Sequence, residues 1–236
     1  MGDIFHVKSR ILLTVAALSC GLALARAAEG DPDPLEILKT VRTAQNAQHM
    51  ILDGRLRTGP TSIPLRLLIE GSTVRYEFKD PALAIVLRLG DKGSQLQEIT
   101  HGATEKVTPA RFDQKVRDTD ISYEDLSMRF LYWPKATLEG EESKLTRRCW
   151  KLQVQPGNDE SQYSKVDLWI DQGNGAMLQA EAYDKSGKLA RRFTVRSGQK
   201  VDDAWILKQM RIEAFANKPG VKDPPPTYME ITGTEK

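Results

Sequence analysis

The sequence predicts a mainly β (α+β) protein, a single curved antiparallel sheet of ten or eleven strands with helices covering its concave face. Three observations predict this. Apolar and polar residues alternate with a period of two along most of the chain, and turn residues recur about every 8–12 positions. Just two segments, near residues 33–48 and 118–134, carry helical spacing instead. Between residues 28 and 236 no linker is long enough to separate two domains.

The first 27 residues stand apart from this pattern. Lys8 and Arg10 precede Ile11–Ala25, an apolar run of 15 residues, where a bilayer span needs about 20. Small residues follow, and Ala23-Leu24-Ala25 or Ala25-Arg26-Ala27 fits a signal-peptidase site. A cleaved signal over residues 1–27 is expected, with a retained anchor as the alternative. Ala17-Leu18-Ser19-Cys20 is similar to a lipoprotein box, but Ala17 replaces a larger aliphatic and Leu22 and Leu24 continue the apolar run past the cysteine. Of 34 basic and 32 acidic residues, three and one respectively leave with this segment, so the mature chain is formally neutral. A neutral chain without a basic block implies no nucleic-acid partner. One cysteine remains, Cys149, which excludes an intramolecular disulfide.

The first helix opens at Asp33-Pro34-Leu35-Glu36, with Asp33 as N-cap, Pro34 at the first helical position and Glu36 completing the box. Ile37, Leu38, Val41 and Ala44 share one face, and the helix should end near Gln48. Strands follow over 51–58, 63–69, 74–78 and 83–89, then a weaker hairpin, 96–100 and 104–108, around Gly102.

Asp118–Pro134 (DTDISYEDLSMRFLYWP) predicts the central helix. Asp120 or Ser122 can cap it, and Ser122 with Asp125 forms a capping box built on a short acid. Tyr123, Leu126, Phe130 and Trp133 make an apolar stripe, Asp125 and Arg129 are spaced to pair one turn apart, and Pro134 stops the helix. Beyond it, 136–142, 150–154, 166–170, 177–183, 189–196, 205–215 and 228–232 read as strands, with Pro224–Pro226 in an extended loop.

Chemistry-bearing motifs are sparse. His49 and His101 have no neighbours that suggest a triad or a metal pair, and are read as residues of strand ends or turns. Asp118, Asp120, Glu124 and Asp125 fail as a calcium loop, because Tyr123 stands where glycine is needed and Arg129 where the bidentate acid belongs. Capping and the helix dipole account for these acids. Cys149 reads as a half-buried structural cysteine, and Arg147-Arg148 and Arg191-Arg192 as strand ends or rim charges. No catalytic residue, metal ligand or cofactor is assigned. Two helices are few for so many strands, so a curved sheet under a small helical lid leaves room for a cavity.

The stretches DISYEDL (Asp120–Leu126), YSKVDLWID (Tyr163–Asp171) and YDKSGKL (Tyr183–Leu189) resemble the LolA-like outer-membrane lipoprotein-sorting proteins, in particular a branch with a D-x-S-Y-E-D-L core. The resemblance runs from about Leu35 to Gly233 and implies a half-open β-barrel domain over residues 28–236. It implies a periplasmic carrier that holds acyl chains of lipoproteins or other lipids and passes them between an inner-membrane transporter or exporter and an outer-membrane acceptor. Leu65, Leu67, Leu83, Ile85 and Leu87 are the expected cavity walls, with Leu126, Phe130 and Trp133 as the lid. The alternative is an accessory domain that uses the same half-barrel to hold a protein partner. An enzyme is not expected, since nothing supplies a nucleophile with a base.

Overall fold

A computed structural model describes residues 31–46, 49–90, 93–157, 160–201 and 204–235. The expected signal segment and the predicted helix end at Gln48 lie outside the described residues. Among the described residues, no helix is long and apolar enough to cross a membrane.

Helix α1 (Pro34–Asn46) begins as its sequence dictates: the Asp33 carboxylate accepts from the Leu35 N–H at 2.9 Å. Glu36 does not close the box. Its carboxylate takes Lys39 Nζ at 3.2 Å instead. Ile37, Leu38 and Val41 are buried.

Among the described residues thirteen strands follow, not ten or eleven. They are β1 (His49–Thr58), β2 (Thr61–Glu70), β3 (Thr73–Phe78), β4 (Leu83–Gly90), β5 (Gly93–Thr100), β6 (Ala103–Lys106), β7 (Lys135–Lys144), β8 (Arg147–Gln155), β9 (Tyr163–Asp171), β10 (Met177–Asp184), β11 (Leu189–Val201), β12 (Ala204–Ala214) and β13 (Thr227–Glu235). The strands with the poorest alternation, β6 and β7, pair as fully as the rest. β6 is exposed throughout and β7 mostly so, because an edge strand is held by its ladder rather than by a buried face.

All thirteen form one antiparallel sheet in the order β6-β5-β4-β3-β2-β1-β13-β12-β11-β10-β9-β8-β7. Strands β1 to β6 therefore run outward from the middle to one edge. Residues 107–134 cross to the opposite edge, and β7 to β13 return until β13 pairs with β1. At that central seam a bulge falls between Asp53 and Gly54, and a Cβ on Gly54 would stand 2.6 Å from the Glu230 carbonyl oxygen. Glycine is needed there for close approach.

The sheet is strongly curved. Ten inter-strand steps separate β5 from β8, about 48 Å if flat. Yet both strands lie against a single four-residue 3-10 turn, Arg129–Tyr132, so the two edges must bend towards each other. An open sheet curved in this way has the arrangement of a half-open barrel. Its apolar rows, including Leu52, Leu65, Ile85, Leu152, Val166, Leu168, Phe193 and Met210, point to one face and form the core.

Candidate functional site

Residues 107–134 cover that apolar face. The segment contains a 3-10 turn, Pro109–Arg111, then helix α2 (Tyr123–Ser127), then the turn Arg129–Tyr132. The continuous helix expected from 118 to 134 is thus corrected to two short pieces. Met128 sits between them at φ 44°, ψ 32°, in the left-handed region. Apolar side chains on both sides of the interruption, Leu126 before it and Phe130 and Leu131 after it, are buried in the core.

The capping box forms as predicted. Ser122 Oγ accepts from the Asp125 N–H at 3.1 Å, and Asp125 Oδ2 accepts from the Ser122 N–H at 2.9 Å. The expected Asp125–Arg129 pair does not form. Arg191, read from sequence as a rim charge, is instead the counter-ion of Asp125, with Nε 3.0 Å from Oδ2 and its Nη2 donating to the Asp120 carbonyl at 3.1 Å. The Tyr163 hydroxyl donates a short bond to Asp125 Oδ1. Arg129 reaches the Glu160 carbonyl at 3.0 Å and lies over the Phe112 ring.

Glu124 is buried beside this group. Ser161 Oγ donates to its Oε1 at 2.5 Å and the Gln162 N–H to its Oε2 at 2.9 Å, while Gln162 Nε2 reaches Ser122 Oγ at 2.8 Å. Capping and the dipole therefore explain only part of the acidic motif. The rest is tertiary: two buried carboxylates bind α2 to β9, to β11 and to the stretch that leads into β9.

The charges follow from burial and neighbours. Burial raises the Glu124 carboxyl above its ordinary range, while the bonds from Ser161 and Gln162 and the Arg129 charge pull it back. The Tyr163 hydroxyl is pushed well up, first by burial and then by the Asp125 charge. Burial is the largest effect and works against the Arg191 cation, but Asp125, Tyr163 and Asp120 together outweigh it and the guanidinium is held above its usual value. The network is a clamp of satisfied donors and acceptors.

The front of the cover is tied to the other half of the sheet. Arg111 pairs with Glu98 on β5 and packs 5.6 Å from the Tyr123 ring centroid. Arg117 donates to the Pro81 carbonyl and lies over Phe78.

Where α2 and the following turn face β3 and β4, the contacts are apolar, with one hydrogen bond from the Tyr76 hydroxyl to the Leu126 carbonyl at 3.2 Å. A cavity of about 40 Å³ opens at this seam. Val74, Tyr76, Leu87 and Leu89 line it from the sheet, and Leu126, Ser127, Met128, Leu131 and Tyr132 from the cover. It has room for a few water molecules at most.

The eight residues expected to form a site belong to one hydrophobic cluster. Leu65, Leu67, Ile85, Leu87, Leu126, Phe130 and Trp133 are buried, and Leu83 is partly buried against them. Leu87 and Leu126 reach the cavity. Phe130 lies deep, with its ring centroid 5.8 Å from that of Phe193 and 6.5 Å from that of Trp133. Sequence reasoning did not mark Met128, Leu131 or Tyr132 as cavity residues. Tyr132 lies off the predicted stripe, and no helical periodicity survives the break at Met128.

The remaining candidates sit as follows. His49 is the first residue of β1, and His101 lies in the β5–β6 turn at φ 50°. Cys149 is fully buried, its thiol raised chiefly by burial. Among the described residues, no group of three or more His, Cys, Asp or Glu could hold a metal ion.

Comparison with known proteins agrees with this architecture. A family model described as an uncharacterized protein matches residues 101–222, slightly more than half the chain. No curated protein sequence matches significantly. Among solved structures, a domain from Vibrio parahaemolyticus described as an outer membrane lipoprotein-sorting protein domain superposes with a TM-score of 0.72 at 17% identity, covering 86% of this chain and 91% of its own. A DUF1329 family protein from Desulfovibrio piger (TM-score 0.64, 17% identity) and a LolA superfamily protein from Nitrosomonas europaea (0.64, 15%) each cover 86% of this chain and 93% of their own. The chain belongs to the uncharacterized family whose model spans residues 101–222, and its fold is that of the LolA-like lipoprotein-sorting proteins.

Proposed function

We propose that this protein is a periplasmic carrier that holds the acyl chains of lipoproteins or lipids beneath the 107–134 cover and moves them between envelope membranes. One observation carries the reading. The cover is clamped by buried carboxylates to β9 and β11, but meets β3 and β4 across an apolar seam that already contains a cavity. Parting that seam exposes the apolar face of β2 to β4 without breaking the clamp, and releases the Arg111–Glu98 and Arg117–Pro81 ties at the front of the cover. Leu65, Leu67, Leu83, Ile85 and Leu87 then become the chain-binding wall, and Leu126, Phe130 and Trp133 the underside of the lid.

The energetics allow reversible loading. Each buried methylene gains about 0.8 kcal/mol, so a long chain gains on the order of 10 kcal/mol. Displacing the lid's own apolar contacts offsets much of this, and release then needs no covalent step. Donor and acceptor would be an inner-membrane transporter or exporter and an outer-membrane protein.

The decisive experiment is to extract the purified protein, identify co-purifying lipids by mass spectrometry, and titrate the stripped protein with a fluorescent acyl probe. Acyl lipids in the extract and saturable probe binding are expected. Repeatedly lipid-free preparations that take up no probe would overturn the reading.

A second reading, an envelope accessory domain that holds a protein partner, is favoured by the filling of the concave face. Ile85, Phe130, Leu152, Val166 and Phe193 are fully buried within one hydrophobic cluster. Under that reading the seam stays shut and the lid is permanent core.

A further inference from the structure

We propose that the hairpin tips carrying Leu145 and Trp205 form a rim that docks on a lipid membrane surface bearing anionic phosphate headgroups. Docking of this rim goes beyond the carrier reading, which concerns the inside of the half-barrel. Among the described residues four large hydrophobic side chains stand exposed: Leu35, Leu145, Trp205 and Val221. Leu145 and Trp205 share one end of the sheet. Consecutive strands are antiparallel, so the β7–β8, β9–β10 and β11–β12 connections all fall at that end. Three inter-strand steps, from β8 to β11, set the two tips about 14 Å apart. The β2–β3 and β4–β5 connections lie at the same end. Val74 and Leu89, which line the seam cavity, are each one residue from those strand ends. The cavity therefore sits towards the rim that carries both tips.

Neither tip is explained by folding alone. Leu145 and Thr146 connect β7 to β8 by themselves, at φ 50° and 65°. A two-residue turn of this kind calls for Asn-Gly. Here a leucine is held in the left-handed region with 49% of its surface in water. Trp205 is 64% exposed, on a part of β12 that is paired by β11 alone, since β13 joins β12 only over Gln209 to Ile212.

Charge complementarity selects the occupant. Lys144 and Arg147 form the rung next to the β7–β8 turn, and Arg148 stands on the rung behind it. The acids that pair with these cations, Glu142, Glu141 and Asp171, lie on the third and fourth rungs, further from the tip. The tip thus presents the positive ends of its ion pairs around an apolar point. The Arg148 side chain is 76% exposed, and a surface pair such as Arg148–Glu141 is held weakly, so its guanidinium can exchange a carboxylate for a lipid phosphate. At the second tip Lys200 faces Trp205, and Asp202 and Asp203 follow in sequence, so the preference for anions is set by the β7–β8 tip. The small and polar turn at 172–176 separates the two apolar points. They do not form the contiguous apolar centre of a protein interface. An indole at a membrane interface and an apolar tip with basic flanks need no such centre.

Flotation with vesicles of equal parts phosphatidylcholine and phosphatidylglycerol tests this, with a second set brominated on the acyl chains. Residues 1–30 contain no tryptophan, and Trp133 and Trp169 are buried. Bromine quenching that disappears in Trp205→Phe therefore reports contact at this tip. The wild-type protein is expected to float with Trp205 quenched, and to bind vesicles of phosphatidylcholine alone less tightly. Leu145→Asn suits the left-handed turn and should leave the melting temperature unchanged or higher. Leu145→Asn and Trp205→Gln should each weaken partitioning about tenfold, as the loss of one buried apolar side chain implies. Wild-type protein that does not float would overturn the docking rim. So would flotation undiminished in the double variant Leu145→Asn/Trp205→Gln, or flotation with no quenching assignable to Trp205. A dimer that Leu145→Asn converts to monomer, in a protein that does not float, would assign the tips to a second copy instead. Acyl-probe uptake on the same samples keeps the two readings apart. Uptake without vesicle binding would overturn the rim and leave the carrier reading standing, and vesicle binding without uptake would do the reverse.

Discussion

Arg191 Nε lies 3.0 Å from Asp125 Oδ2, and this pair, 66 residues apart in sequence, fixes α2 to strand β11. Asp125 is fully buried and Arg191 largely so. Each of the two Asp125 oxygens has a further duty: one accepts from Tyr163, the other from the Ser122 N–H. Removing one partner of such a pair leaves a buried charge without compensation. Asp125→Asn should therefore destabilise the protein by about 3–5 kcal/mol. In a double-mutant cycle with Arg191→Met, denaturant midpoints should show a loss well below the sum of the singles. Additive losses would mean that the two side chains do not work as a unit.

Phe130 and Met128 lie two residues apart on the cover but should respond differently. Phe130 has no exposure and packs on Phe193 and Trp133, so Phe130→Ala should cost a core-sized 3–5 kcal/mol or so. Met128 is only partly buried and lines the seam. Met128→Ala should cost roughly 1 kcal/mol or less and chiefly alter acyl-probe affinity. A core-sized loss at Met128, with probe binding unchanged, would make the whole cover plain core and favour the partner-binding reading.

Two buried glutamates should pull the pH dependence of stability in opposite directions. Glu230 on β13 is held down to about 2, first by the hydrogen bond from Arg57, against the cost of burial, and further by Arg55 and Gln209. Its stabilisation is present above its unfolded value of about 4.5 and is lost as pH falls from there towards 2. Glu124 is raised by burial, so its contribution is greatest below the unfolded value and declines as pH rises through its folded pKa. Melting temperatures of Glu230→Gln should fall below wild type at neutral pH, with the gap closing in strong acid. For Glu124→Gln, the difference from wild type should shift in the variant's favour as pH rises. Parallel curves in either case would show that the group does not titrate differently on folding.

Cys149 gives a direct readout of opening. It is a free thiol with no exposure, on β8. A thiol reagent should label it at a rate set by unfolding, and in denaturant at once. Rapid labelling of the native protein would mean that β8 is far more open than its burial implies.

Much of the fold was legible in the sequence because alternation and turn residues are local signals. Every segment that alternation marked is a strand, and Asp33-Pro34 and Ser122–Asp125 cap helices as read. The total of ten or eleven fell short of the thirteen strands although a segment was marked for each of them, the edge strands β6 and β7 carrying the weakest alternation because they have no buried face to advertise. The partner of Asp125 was not legible. Arg129 offered the right helical spacing, but Met128 leaves the helix before that spacing can act, and Tyr163 and Arg191 supply bonds that only the folded sheet brings near. The break at Met128 carries no glycine or asparagine to announce it. Of the expected cavity wall, the sequence could place Leu65, Leu67, Ile85 and Leu87 on one face. It could not show that the lid fills the space above them.

The most direct test is a pair of spin-label distances, measured with and without an acyl ligand. Met128→Cys with Ser72→Cys spans the seam from the cover to the β2–β3 turn, and Met128→Cys with Ser186→Cys spans the clamp to the β10–β11 turn. Ser72 and Ser186 are exposed, and Cys149 is buried away from the label. If the cover parts from β3 and β4 while staying clamped to β9 and β11, ligand should lengthen the first distance by several ångströms and leave the second unchanged. Saturating ligand with both distances unchanged, or with the clamp distance growing and the seam distance fixed, would contradict it.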